Sequence, residues 1–352
     1  MTARKPVTDS HLEREIFEQP DVLERLLARR DHVAAIADDI RKASPAYVVI
    51  AARGTSDHAA IYGKYLFGSL AGLPVALATP SLSTLYGKPP RFERALVIGI
   101  SQSGRSTDVG QVLSDAAAQG ALTLAITNDD TSPMAVTARH HIGLSAGQEL
   151  SLAATKTYTG QLVALAMLVA SVTGEDALLK ELDRLPAHVS ETLRLCAEAI
   201  FRAERYTFME HCVTLGRGYN YATAFEVALK IKELTYVVAQ PYSSADFRHG
   251  PIAVVEEGFP VLAVVTGGAA RDDMLQLLGK LKERNAELVV ISDLDEALAL
   301  ARTPFRLPAG VPEWLSPVVS VIPGQLFAMG LALAKGHDLD SPRGLNKITI
   351  TY

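Results

Sequence analysis

Apolar positions along this chain follow two spacings. Between His11 and Lys42 they recur at helical intervals, with Pro20 placed to break one segment and Asp21 to open a second from Val22 to Arg30. From Tyr47 the pattern becomes short β-branched runs, each followed by a turn and a helix-length stretch. The runs are Tyr47 to Ala52, Val75 to Ala78, Ala95 to Ser101, Leu122 to Asn128 and His141 to Leu144. Such alternation predicts a three-layer α/β domain built on a parallel sheet.

The second half repeats the first. Val49 to Gly54 corresponds to Val213 to Gly218 at an offset of 164, and the strand ending at Ser101 corresponds to Phe259 to Thr266 at 165. Leu124 to Asp129 pairs with Leu288 to Asp293 at 164, and Ile142 to Gly147 with Phe305 to Gly310 at 163. Four segments holding one offset to within a residue predict a duplication. The predicted division is a helical lead-in over 1–45, a first α/β domain over 46–180, a linker helix over 181–204, a second α/β domain over 205–340 and a tail over 341–352.

Composition narrows the function. A chain of 352 residues with 48% apolar content can bury a large core, and its net charge of −5, without a basic block, argues against nucleic acid. Cys196 and Cys212 form no C-x-x-C pair and no secretory h-region is present, which predicts free thiols in the cytoplasm. The longest apolar stretch, Val318 to Ala334, contains Pro323 and Gln325 and reads as a strand or loop end followed by a core helix, not a membrane span.

Candidate chemistry concentrates after the run Leu96 to Ile100. Ser101-Gln102-Ser103-Gly104-Arg105-Ser106 joins a buried strand to a helix from Val109 to Gln119, where amides and the hydroxyls of Ser101, Ser103 and Ser106 can face one anion. Serines also serve as helix caps, so a capping loop is the competing reading. The loop matches neither glycine-rich nucleotide fingerprint. Its counterpart, Thr266-Gly267-Gly268-Ala269, lacks most side-chain donors, which assigns the anion to the first domain.

The second domain carries a helix, roughly Ala222 to Val238, on which Glu226, Lys230 and Glu233 share a stripe about 60° wide. A stripe that narrow suggests charges facing a cavity; an ordinary surface pair is the alternative. Ser243 to Pro251 reads as a polar loop in which His249 could move protons or simply be structural. Lys347, in the tail, is unremarkable by itself.

Taken in order, Glu15 to Pro20, Gly54-Thr55-Ser56, Ser101 to Gly104, Ala153-Ala154-Thr155-Lys156, Leu229 to Glu233, Arg248-His249-Gly250-Pro251 and Pro342 to Lys347 resemble the SIS (sugar isomerase) family. They are most similar to the isomerase half of glucosamine-6-phosphate synthases and to SIS-type glucosamine-6-phosphate deaminases. The resemblance implies two tandem SIS domains, each a flavodoxin-like parallel sheet flanked by helices. It further implies that Ser101, Gln102, Ser103 and Ser106 hold a sugar phosphate and that Thr55 and Ser56 touch the sugar. Glu233 would move a proton between C1 and C2, with Lys230 beside it. His249 would open the ring from the partner subunit of a homodimer, and Lys347 would form a Schiff base with the open-chain ketose. No cofactor or metal is implied.

Arg105 and Ala154 depart from the synthase pattern, which has an acidic residue and a serine there. Thr2 after Met1 and the lack of a glutaminase domain before Tyr47, together with Arg53 and Pro80 to Ser83, lean toward the deaminase branch. The expected reaction is glucosamine 6-phosphate plus water to fructose 6-phosphate plus ammonia. An ammonia-dependent synthase, a fructosamine-6-phosphate deglycase and a non-catalytic sugar-phosphate sensor are the alternatives.

Overall fold

A computed structural model of the chain describes residues 7–344 and Lys347. It contains two five-stranded, fully parallel sheets. The first comprises β1 (Tyr47–Ala51), β2 (Val75–Leu77), β3 (Ala95–Ser101), β4 (Leu122–Thr127) and β5 (His140–Gly143) in the order β2-β1-β3-β4-β5. The second comprises β6 (His211–Gly216), β7 (Val238–Ser243), β8 (Pro260–Val265), β9 (Glu287–Ser292) and β10 (Thr303–Arg306) in the order β10-β9-β8-β6-β7. Read from its other edge, the second has the order of the first. This is the 2-1-3-4-5 order of flavodoxin-like doubly wound sheets, whose ligands bind beyond the carboxyl ends of the strands.

Residues 21–149 and 156–184 form the unit around the first sheet; residues 7–20, 150–155 and 185–344 form the unit around the second. In the first unit β3 is buried at every position, and Val97, Val109, Val112 and Leu113 pack one face of the sheet. The Lys156–Thr173 helix is buried almost throughout and packs against the Thr55–Leu70 helix. In the second unit the Ser316–Ala334 helix has the same role against Tyr221–Thr235. The stretch Glu313–Ala334 is long and apolar enough to cross a membrane by length and composition, with mean hydropathy 1.7, but 89% of it is buried within the protein.

Several local expectations are corrected. The break expected at Pro20 is present, since His11–Phe17 ends just before it and a second helix, Gln19–Leu27, opens with Pro20 in its first turn, where a missing N–H has no intrahelical partner to lose; Asp21 lies inside that turn instead of capping it. The predicted strand or loop end before Ala334 is instead the first half of the Ser316–Ala334 helix, which runs through Pro323. Burial on all sides offsets the lost backbone hydrogen bond. The helix expected to reach Val238 stops at Thr235, because Tyr236 turns left-handed (φ 60°) and frees Val238 to begin β7. Ser243 to Pro251 is not all loop, since Ser243 caps a short helix, Ser244–Arg248.

The N-terminal helix His11–Phe17 belongs with the second sheet. The Asp340 carboxylate accepts from the His11 and Leu12 amides, Gln19 bonds Gln325, and Glu15 accepts from the Leu150 and Ser151 amides. The first matched motif is therefore a clamp on backbone.

Candidate functional site

In the first unit, β3 delivers Ser101 to the carboxyl edge of the sheet with 5% of its surface exposed. The chain then turns at Gly104, whose positive φ of 63° favours glycine and whose missing side chain leaves room for Ser132; a Cβ there would overlap the Ser132 hydroxyl. Ser101 Oγ lies 3.2 Å from Ser106 Oγ and accepts from the Gly104 amide at 3.2 Å, while Ser103 Oγ accepts from the Arg105 amide at 3.3 Å. Ser106 occupies the N-cap position of the Thr107–Ala118 helix, yet its side chain makes no capping bond. The capping reading therefore fails for Ser106, whose hydroxyl faces Ser101 instead.

Gln102 is half-buried; its carbonyl accepts from the Asn128 amide and its side chain makes no bond among the described residues. Register places β1 beside β3, with Ala51 opposite Gly99, so Thr55 and Ser56 begin their helix from the neighbouring strand end. Ser56 is buried at 6% and accepts from the Gln161 side-chain amide at 3.0 Å. Lys347 lies 3.4 Å from Glu149 Oε2, and Glu149 also accepts from the Thr157 amide and hydroxyl at 3.1 and 2.7 Å.

The corresponding loop of the second unit is already filled. The Gly267 amide donates to Asp293 Oδ1 at 3.0 Å and the Ala269 amide to Glu313 Oε2 at 2.9 Å, and a Cβ at Gly268 would overlap the Glu313 carboxylate. Internal carboxylates take up these backbone donors, so an incoming anion would meet negative charge. The asymmetry expected between the two loops is present and has a physical cause.

The Tyr221–Thr235 helix buries its charged stripe, which excludes the surface-pair reading. Glu226 is fully buried and Lys230 is 1% exposed; Lys230 Nζ lies 3.3 Å from Glu226 Oε1 and 2.5 Å from Glu233 Oε2. Burial opposes the charged form of Lys230, but the carboxylates of Glu233 and Glu226 outweigh it and raise its pKa above the ordinary lysine value. Glu233, with its side chain 20% exposed, is the accessible end of the triad.

His249 caps the carboxyl end of Ser244–Arg248 and is exposed. Arg248, beside it, is pinned by two bonds to Asp273, one to the carboxylate and one to the carbonyl. Among the described residues no hydrogen bond or ion pair joins the His249 ring to Lys230 or Glu233. The structure thus pairs Ser101 with Ser106 and Lys230 with Glu233, and leaves His249 and Gln102 outside both groups.

Sequence reasoning assigned no role to Arg53, Asp108, Glu149 or Glu226. Glu226 was visible in the stripe. The others sit alone in loops or at a helix start, and only the fold reveals their partners.

The chain matches the SIS domain family over residues 40–171 and 209–335. It is 36% identical to a glutamine–fructose-6-phosphate aminotransferase (isomerizing) of Gloeobacter violaceus, covering 95% of this chain and 57% of the relative. The chain spans somewhat more than half the length of such curated relatives. A solved C-terminal domain of glucosamine-fructose-6-phosphate aminotransferase from Francisella tularensis is 28% identical with a TM-score of 0.86, over 97% of this chain and all of that one. A glucosamine-6-phosphate deaminase structure from Thermotoga maritima, 20% identical with a TM-score of 0.78 over 97% of this chain and all of that one, shares the fold. With both matched segments centred on its two parallel sheets, this chain belongs to the SIS domain family.

Proposed function

We propose that the protein is an isomerising deaminase that converts glucosamine 6-phosphate and water to fructose 6-phosphate and ammonia. The observation that carries this reading is the Glu226–Lys230–Glu233 triad: a buried cation orients a carboxylate whose far side remains accessible, which is what a base shuttling one proton between adjacent carbons requires. A hexose 6-phosphate substrate is supported by the names of the relatives and by a serine loop whose counterpart is blocked by carboxylates.

In the proposed sequence His249 of a partner subunit opens the ring. Glu233 takes the C2 proton of the open-chain aldose, giving an enolamine, and returns it to C1; the resulting C2 imine takes up water and expels ammonia. Ser101, Gln102, Ser103 and Ser106 hold the phosphate, Thr55 and Ser56 contact the sugar, and Lys347 can engage the C2 carbonyl of the ketose. The exposed ring of His249, without a hydrogen-bond partner among the described residues, supports a role completed in a homodimer. Arg105, which departs from the synthase pattern, and Arg53, in a stretch more similar to the deaminase branch, support the deaminase reading.

The reading is tested by measuring ammonia and fructose 6-phosphate released from glucosamine 6-phosphate by wild type and Glu233→Gln. Loss in the variant of at least a hundredfold supports it, and equal release removes Glu233 from the mechanism. The relatives' names favour the reverse, synthetic direction, so fructose 6-phosphate with ammonium is run alongside.

A further inference from the structure

We infer that Arg53 is an additional phosphate contact of the Ser101–Ser106 loop and that the buried Asp108 is the residue that positions it. The argument starts from Asp108. This carboxylate has no exposed surface, a situation that is costly unless it is fully paired. One oxygen accepts from the Val109 amide at 2.9 Å and the other from Arg53 Nε at 2.7 Å. The ion pair joins the second residue beyond the end of β1 to the first turn of the helix that leaves the serine loop.

The pairing uses only part of the guanidinium. Nε is committed to Asp108, while the two terminal nitrogens have no hydrogen-bond partner among the described residues and the side chain is 49% exposed. A guanidinium fixed through Nε presents its terminal N–H groups in one plane, the arrangement that suits phosphate oxygens. Strand register sets where they are: β1 and β3 are neighbours with Ala51 opposite Gly99, so Arg53 leaves one strand where Ser101 ends the next. The hydroxyls of Ser101 and Ser106 are uncharged, and Arg53 would bring the positive charge they lack.

The inference rests on the preceding reading only for the identity of the phosphate ester. Its test therefore uses inorganic phosphate as the probe, read as protection against thermal unfolding, beside KM for glucosamine 6-phosphate. Arg53→Met should weaken phosphate protection and raise KM by about thirtyfold, with the loss falling mainly on KM, and Arg53→Lys should recover part of it. Because Arg53→Met strands a buried carboxylate, the double variant Arg53→Met/Asp108→Asn is measured too. It keeps the Val109 acceptor, removes the unpaired charge and should show the same thirtyfold loss. A purely structural ion pair predicts wild-type phosphate protection in the double variant, and that result overturns the inference. Wild type that binds inorganic phosphate through Arg53 but releases no ammonia would retire the deaminase reading and leave the Arg53 assignment standing.

Discussion

Lys230 Nζ sits 2.5 Å from Glu233 Oε2 with Glu226 3.3 Å away on its other side, so one buried ammonium serves two carboxylates of the same helix. Removing the ammonium and removing the outer carboxylate should have different consequences. Lys230→Met removes the buried ammonium that both carboxylates face and should cost about 3–5 kcal/mol of stability. Glu233→Gln leaves the Lys230–Glu226 pair in place and keeps a hydrogen-bond acceptor beside Lys230, so it should cost less stability than Lys230→Met while abolishing turnover. Thermal unfolding of the two variants decides this, and similar Tm values would show that the triad is not organised around Lys230.

The same triad sets a pH dependence. A lysine whose folded pKa is raised contributes stability that is fully present below its unfolded pKa of about 10.4 and is lost only as pH climbs through the higher folded value. Wild-type stability should therefore carry no loss from Lys230 deprotonation between about pH 6 and 9. A Lys230 Nζ resonance that titrates by NMR within that window would contradict this.

Ser101→Ala and Ser106→Ala each delete one hydroxyl of the anion loop. Each should raise KM for the hexose 6-phosphate by about ten- to 150-fold, the range for one hydrogen bond to a charged group, and change kcat much less. Gly104→Ala should act on both binding and stability, because it forces a side chain into a left-handed position at about 1–2 kcal/mol and into Ser132. Titration of inorganic phosphate against each variant checks the order.

If His249 acts in the partner subunit, mixing inactive Glu233→Gln with inactive His249→Ala protein should restore activity. Random exchange into dimers gives about a quarter of the wild-type sites. Assay after subunit exchange reads this directly, and no recovery despite verified exchange would place His249 and Glu233 in the same chain's chemistry.

Much of the fold is legible in the sequence because parallel strands buried on both faces are written as unbroken β-branched runs; β3 and β4 begin where their patterns do. β7 is not legible: Val238–Ser243 is an edge strand containing Gln240, Pro241 and Tyr242, too polar to stand out. Pro20 marks a true boundary between two helices, whereas Pro323 misleads, because the Ser316–Ala334 helix runs through it. At the site, Lys230 and Glu233 are readable because three and four residues bring side chains onto one helix face. Asp108 and Arg53, 55 residues apart, meet only because β1 and β3 are neighbours. Glu313, which fills the second loop from 44 residues beyond Ala269, carries no local signature.

The central claim is that Glu233 moves a proton between neighbouring carbons of a phosphosugar held by the serine loop. Incubating fructose 6-phosphate in deuterium oxide with ammonium and following deuterium at C1 by NMR tests it most directly. The account predicts exchange by wild type, exchange at a raised half-saturating concentration by Ser101→Ala and none by Glu233→Gln; exchange by Glu233→Gln at the wild-type rate would contradict it.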